Sequence, residues 1–296
     1  MSNTWGAMLL LCSLGTSSVG RSVRITRASP DANFLFPTTS QQLTKFMMDC
    51  MYGKARPLTA AWAQRGALDA AATSDLYGRL TYYEEARARG KPRGCIFIAT
   101  DGLSGELVGF ADVGASLWLP NDACFRLPQS PDLERLAETG IGADGTRKPT
   151  VELRPYISNL VVDSALRRRG VGRQLVEACE AEAGEWLDVP SRDCMWLEVT
   201  STNAGAKTFY RSLNYTQDAC TLGNEVVRHP GGGGFQMVEV ERCVMRKQLT
   251  TLARLRGGRS LGVARYHARA PAGSRAYVSR STAHRCDCRS AAAATT

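Results

Sequence analysis

The stretch Tyr156 to Ala178, YISNLVVDSALRRRGVGRQLVEA, decides how the rest of the chain is read. Ile157 to Val162 reads as a buried strand, and Val171, Leu175, Ala178 and Cys179 recur beyond it at helical spacing. Between them runs Arg167-Arg168-Arg169-Gly170-Val171-Gly172. Gly170 and Gly172 carry no side chain, so a ligand can approach the backbone and collect amide N–H groups at a helix N-terminus, where the dipole favours negative charge. The unit is strand, anion-binding loop, helix, and it suits a pyrophosphate.

The loop is R-x-x-G-x-G, at Arg167, Gly170 and Gly172. It is neither the G-x-x-x-x-G-K-[ST] of an NTPase loop nor the G-x-G-x-x-G of a dinucleotide fold. Taken alone, an ordinary turn with a solvated arginine face explains it equally well. Downstream residues add weight. Met195 to Val199, MWLEV, reads as a second buried strand, Asn203 follows, and Ala204 to Leu213 reads as a short helix with Ala206, Phe209, Tyr210 and Leu213 on one side. Asn214 stops that helix with a residue that tolerates the left-handed cap. The L-V-V-D strand end and its arginine-glycine loop resemble the GNAT superfamily of N-acetyltransferases. So do Leu197, Val199, Asn203, Ala206, Tyr210 and Tyr215 in the pattern L-x-V-x-x-x-N-x-x-A-x-x-x-Y-x-x-x-G-[FY], where Asn214 stands in place of the glycine.

The resemblance covers residues 22–249 and implies an α/β (α+β) fold with a mixed, mostly antiparallel central sheet, splayed between its fourth and fifth strands and flanked by helices. It implies acetyl-CoA as cosubstrate. The pyrophosphate would lie on Arg167, Arg168, Arg169, Gly170, Val171, Gly172 and Arg173, the thioester carbonyl on the amides of Val161 and Val162, with Leu160 and Asn203 as further contacts. Acetyl would pass by direct attack in a ternary complex, with Tyr210 as acid. Three candidates for the base stay open. Glu198 resembles the base of bacterial-type enzymes that acetylate ribosomal proteins, acting through water; Tyr156 matches a base of some eukaryotic N-terminal acetyltransferases; Glu152 is the third. An α-amine, with a pKa near ~8, needs less help to lose its proton than a lysine at ~10.4. Protein N-termini are therefore the expected acceptors, with lysine side chains second. The competing readings are transfer to a small amine and a non-catalytic acyl-CoA sensor or nucleic-acid adaptor.

The remaining residues organise around this domain. The net charge of +9 belongs to the ends: residues 1–30 contribute +3 and residues 250–296 contribute +8, which leaves −2 between them. Residues 1–21 are serine-rich and acid-free with a short apolar run at Ala7 to Cys12, the composition of an organellar transit peptide. With R-P-Y-[IL]-x-N-L-x-V-D and a long insertion before it, the chain is similar to plastid GNAT proteins of plants and algae, so the plastid is the expected compartment and the cytoplasm the alternative. No apolar run reaches the ~18 residues of a membrane span.

Ser22 to Ala28 reads as the first strand, Ser40 and Ser74 as caps of two helices, the second ending at Gly90, and Cys95 to Thr100 with Leu107 to Val113 as a hairpin. Residues 117–150, with Pro120, Pro128 and Pro131 and a short helix from Pro131 to Glu138, read as an inserted loop beside the acceptor. Cys220 to Val227 and Phe235 to Met245 read as the last two strands, around Gly231 to Gly234. Residues 250–296 read as a disordered basic tail able to attract nucleic acid or the ribosome weakly. Cys95, Cys179, Cys194 and Cys243 lie in apolar periodic segments and read as reduced, buried thiols. No metal site is expected, the cluster His284, Cys286 and Cys288 lying in the tail.

Overall fold

The computed structural model describes residues 22–28, 39–53, 60–119, 124–128, 135, 136, 139, 145, 152–189, 191–228 and 234–249. The expected leader, the tail with His284, Cys286 and Cys288, the helix over 131–138 and Gly231 to Gly233 lie outside those residues, wholly or for the most part.

Strands β1 (Val23–Arg27), β2 (Gly94–Asp101), β3 (Leu107–Leu119), β5 (Glu152–Val162), β6 (Cys194–Thr200), β7 (Thr216–Arg228) and β8 (Phe235–Gln248) form one open sheet in the order β1-β2-β3-β5-β6-β8-β7. A short strand, β4 (Cys124–Arg126), pairs with the end of β3. Every pairing is antiparallel except β5 with β6. The turn between β2 and β3 forms where Asp101 accepts from the amides of Leu103 and Ser104 at 2.9 and 3.0 Å, the local bond that makes an Asp-Gly pair a turn former.

Helices α3 (Val171–Gly184) and α4 (Ala204–Ser212) cover one face of the sheet, where Val171, Leu175, Val176 and Cys179 pack against Ile157, Leu197 and Val199. Helices α1 (Thr39–Tyr52) and α2 (Ala60–Ala88) cover the other, with Leu43, Leu76, Leu80 and Tyr83 against Ile96, Phe110 and Val161. α4 closes as predicted. Asn214 takes φ +68°, and the amides of Tyr215 and Asn214 return to the carbonyls of Tyr210 and Arg211 at 3.0 Å each, the paired bonds of a left-handed helix stop.

Three expectations need correction. Ser74 does not begin α2, which starts at Ala60; the alanine-rich run before Ser74 has high helix propensity but no apolar period, and Arg65 ties it down through Asp69 at 2.7 Å and Asp49 at 3.1 Å. The insertion is not a loop at its start, because β3 runs on to Leu119 and Cys124–Arg126 pairs back onto it. Cys243 is not a free thiol. It faces Cys220 across β7 and β8 and forms a disulfide with it, whereas Cys95, Cys179 and Cys194 are free and buried as expected. Alternation within one strand says which face a cysteine takes but not which residue lies opposite.

Candidate active site

The parallel strands β5 and β6 are in register only at Tyr156 with Trp196 and Ile157 with Leu197. Beyond Ile157 they part, so among the described residues the β6-facing edge of β5 from Ser158 to Val162 has no strand partner. A bulge in β5 sets that edge. Asp112 of β3 faces Asn159 and Val113 faces Ile157, which leaves Ser158 without an opposite number. The extra residue keeps Leu160 and Val162 against the α3 core, while Val161 points to α1 and α2.

The bulge is held from the α2 side. Arg79 Nη1 donates to Ser158 Oγ at 2.9 Å and lies 3.0 Å from Asp112 Oδ2, and Tyr83 donates to Asp112 Oδ1 at 2.8 Å. Asp112 is fully buried, which pushes its carboxyl up, with Arg79 and the Tyr83 hydrogen bond pulling against that. None of these three residues belongs to a motif. Their only signal in the sequence is an acid inside an apolar strand.

Two residues beyond Val161, the amide of Asp163 donates to Val108 at 2.9 Å. Bonded pairs alternate along an antiparallel ladder, so Val161 spends its amide on Phe110 and the amides of Leu160 and Val162 face the gap. Arg167 Nε reaches the Val162 carbonyl at 3.2 Å, which agrees with that direction. Of the two amides expected at the thioester, that of Val162 faces the gap and that of Val161 does not, while that of Leu160 does.

The loop after β5 turns through a 3₁₀ segment, Ser164–Leu166, capped by Asp163, and Arg168 and Gly170 then take φ of +62° and +85°. Alternating conformations of this kind turn successive amides inward as an anion nest. The first amide of α3 bonded to a backbone carbonyl is that of Gln174, to Gly170 at 3.1 Å. The amides of Val171, Gly172 and Arg173 are left for a ligand. Arg167, Arg168, Arg169 and Arg173 are exposed and make no ion pair among the described residues. The two glycines do different work: Gly170 supplies the left-handed turn, and a Cβ on Gly172 would come within 3.3 Å of the Phe209 ring of α4. Asn203 commits its side-chain oxygen to the amide of Ala206 at 3.0 Å, capping α4.

Three titratable side chains flank the gap. On the face away from α3, Tyr156 donates to Glu198 Oε2 at 3.4 Å, and Arg242 Nη1 of β8 lies 3.8 Å from the same oxygen. Burial pushes the Glu198 carboxyl up, opposed by Arg242 and by the Tyr156 hydrogen bond. Burial, then Glu198, pushes the Tyr156 phenol well up, so it stays protonated. On the α3 face, Tyr210 is 7% exposed and packs edge-on against Phe209 and Tyr215. Its hydroxyl makes no hydrogen bond among the described residues, and burial raises its pKa. Glu152 stands apart, exposed at the start of β5 and paired with Arg154 at 2.9 Å.

The helices and the last hairpin meet over the Glu198 face. Tyr52 of α1 donates to the Val226 carbonyl at 2.9 Å and packs on Phe235, and Gln64 of α2 accepts from the Phe235 amide at 2.9 Å. Thr200 donates to Glu225 at 2.8 Å, which adds a second carboxylate to that side.

The acetyltransferase (GNAT) family profile matches residues 62–215. The chain is similar to GCN5-related N-acetyltransferase 7, chloroplastic, of Arabidopsis thaliana, at 30% identity over 120 residues, 40% of this chain and 36% of that protein, so the match spans about a third of the relative. Among solved structures it is similar to a GNAT-family acetyltransferase of Streptococcus pneumoniae, with a TM-score of 0.44 at 12% identity, covering 77% of this chain and 100% of that one. Naa20 of Chaetomium thermophilum, solved with a bisubstrate analogue, matches with a TM-score of 0.40 at 19% identity over 76% of this chain and 86% of that one.

Proposed function

Because the chain belongs to the GNAT family of acetyltransferases, we propose that it transfers acetyl from acetyl-CoA to the α-amines of protein N-termini, with lysine side chains as a second acceptor. One observation carries the reading: Glu198 and Tyr156 lie on one face of the β5–β6 gap and Tyr210 on the other. An amine entering from the first face meets a carboxylate, and a group leaving toward the second meets a protonated phenol.

The unengaged amides of Val171, Gly172 and Arg173 and the four exposed arginines fit a pyrophosphate, and the open edge of β5 fits an extended pantetheine arm. Acetyl-CoA, when bound, supplies an activated acyl thioester. The amides of Leu160 and Val162 hold its carbonyl oxygen. Glu198 takes the amine proton through a water, its basicity raised by burial, and Tyr156 orients the carboxylate as a donor rather than acting as the base. Tyr210 keeps a proton ready for the sulfur. The proposed compartment is the plastid, on the chloroplastic relative and the acid-free, serine-rich first residues.

Labelled acetyl-CoA and the full chain are presented with peptides bearing free or blocked N-termini, each with and without lysine. Label on free N-termini is the expected result, with weaker label on blocked peptides that contain lysine. No labelled peptide, with acetyl-CoA still bound, overturns the protein acceptor in favour of a small amine.

Arg242 sets where the activity begins to fall in acid. It holds the Glu198 carboxyl down, so Arg242→Gln lets that pKa rise and moves the acid limb of kcat/KM to higher pH, while Arg242→Lys holds the limb near its original place. A limb that stays put in Arg242→Gln means that Glu198 is not the titrating base.

A further inference from the structure

Residues 117–150 carry the chain from the end of β3 to β5, and none of them has a part in the acetyl transfer proposed above. Their described part, β4, lies where it touches the chemistry. Leu117, Trp118 and Leu119 of β3 pair with Arg126, Phe125 and Cys124, so Phe125 stands directly opposite Trp118 on the face of the sheet that carries Tyr156 and Glu198. The next residues of β3 on that face are Ser116, opposite Arg154, and Gly114, opposite Tyr156. Gly114 leaves room that the Tyr83 hydroxyl and Leu127 fill, and beside them the Phe125 ring stacks on Tyr156, with centroids 4.2 Å apart and planes 18° from parallel. Trp118 backs Phe125 at 4.7 Å, and the Arg154 guanidinium lies over the rings of Trp118 and Trp196.

Tyr156 is therefore fixed at two places, its ring by Phe125 and its hydroxyl by Glu198 at 3.4 Å. Hydroxyl position follows ring position, because a tyrosine side chain has only two torsions and the hydroxyl lies at the far end of a rigid ring. We propose that Phe125, carried by the inserted strand, is a positioning residue for acetyl transfer: by stacking on Tyr156 it holds the phenol hydroxyl on Glu198. The inserted segment is then part of the acceptor wall rather than a surface excursion. This rests on the reading in which Glu198 is the base and Tyr156 its orienting donor.

The charged and titratable groups around the pair are Arg242 of β8, Arg79 of α2 and Arg154 of β5, with Glu198 itself on β6. None of the three arginines touches Phe125 in any ion pair or ring contact among the described residues. A change at Phe125 therefore reaches Glu198 through the Tyr156 hydroxyl. Losing that donor lets the Glu198 carboxyl rise, so the acid limb of the pH profile moves to higher pH, a signature that simple loosening of a surface strand does not produce.

The test uses the full chain as Phe125→Leu, which keeps apolar bulk without a flat ring, and Phe125→Tyr, which keeps the ring. Thermal unfolding and acetyl-CoA titration are run on each to confirm a folded, cofactor-competent protein. Phe125→Leu is expected to lower kcat roughly tenfold, shift the acid limb of kcat/KM upward and leave acetyl-CoA affinity unchanged; Phe125→Tyr restores both parameters. In a Tyr156→Phe background, Phe125→Leu is expected to add little further loss, since the hydroxyl it positions is already gone. A Tyr156→Phe defect together with wild-type turnover and pH profile in Phe125→Leu overturns this proposal alone. Additive losses in the double variant overturn it as well. A silent Tyr156→Phe overturns the role given to Tyr156, and this proposal with it.

Discussion

Tyr210→Phe is expected to lower kcat by about 10²- to 10⁴-fold, the range set by loss of a general acid, with acetyl-CoA affinity and the thermal unfolding midpoint unchanged. The ring is buried between Phe209 and Tyr215 and the substitution keeps it. The hydroxyl has no partner among the described residues, so its removal strands no buried donor or acceptor. Tyr215 gives the contrast. Its hydroxyl donates to Glu180 at 2.9 Å, beside Lys247 on the same carboxylate, so Tyr215→Phe costs stability and leaves chemistry intact. Steady-state kinetics and melting curves on the two variants separate the roles. A Tyr210→Phe enzyme that turns over at the wild-type rate with saturating acetyl-CoA loses Tyr210 its place as the acid.

Gly170→Asp is expected to weaken acetyl-CoA binding by roughly 10²-fold or more, while Gly170→Asn weakens it by about tenfold or less. Position 170 is the residue before α3, at φ +85°, and asparagine and aspartate tolerate that region better than other side chains. They differ in charge. A carboxylate there accepts from the same helix amides that a pyrophosphate would use, and it suits the positive end of the helix dipole. The Asp variant should thus fold as stably as the Asn variant or better, yet bind acetyl-CoA less well, and raising the salt should narrow the gap between the two. Calorimetric titration and melting at two ionic strengths read both effects. Equal affinities for wild type and Gly170→Asp would remove the loop from the cofactor site.

Much of the scaffold is local in origin and was readable from residue order. The loop at Arg167 to Gly172, the cap at Asn203 and the left-handed stop at Asn214 depend on backbone conformations that few residues adopt, so the residue types announce the geometry. Strand alternation put Trp196 and Glu198 on one face and Leu197 and Val199 on the other, as found in the two cores. The helix before Ser74 leaves no clear sequence signal because alanine supplies propensity without an apolar period, and β4 leaves none because three residues flanked by prolines carry no periodicity at all.

By itself, then, the sequence determined the strand-loop-helix unit, its kinship, and the candidates Glu198, Tyr156 and Tyr210, because each follows from local propensity, short spacing or a motif. Only the tertiary structure decided which of these meet. The Ser158 bulge turns the amides of Leu160 and Val162, rather than Val161, into the gap. Arg242, forty-four residues from Glu198, arrives beside it through the β6–β8 register, and Phe125 of β4 meets Tyr156 of β5 although β3 lies between the two strands. The Cys220–Cys243 bond likewise depends on which residue of β7 faces which of β8. Register and strand separation are properties of pairs of segments distant in sequence, set by packing of the whole sheet, and no single segment encodes them.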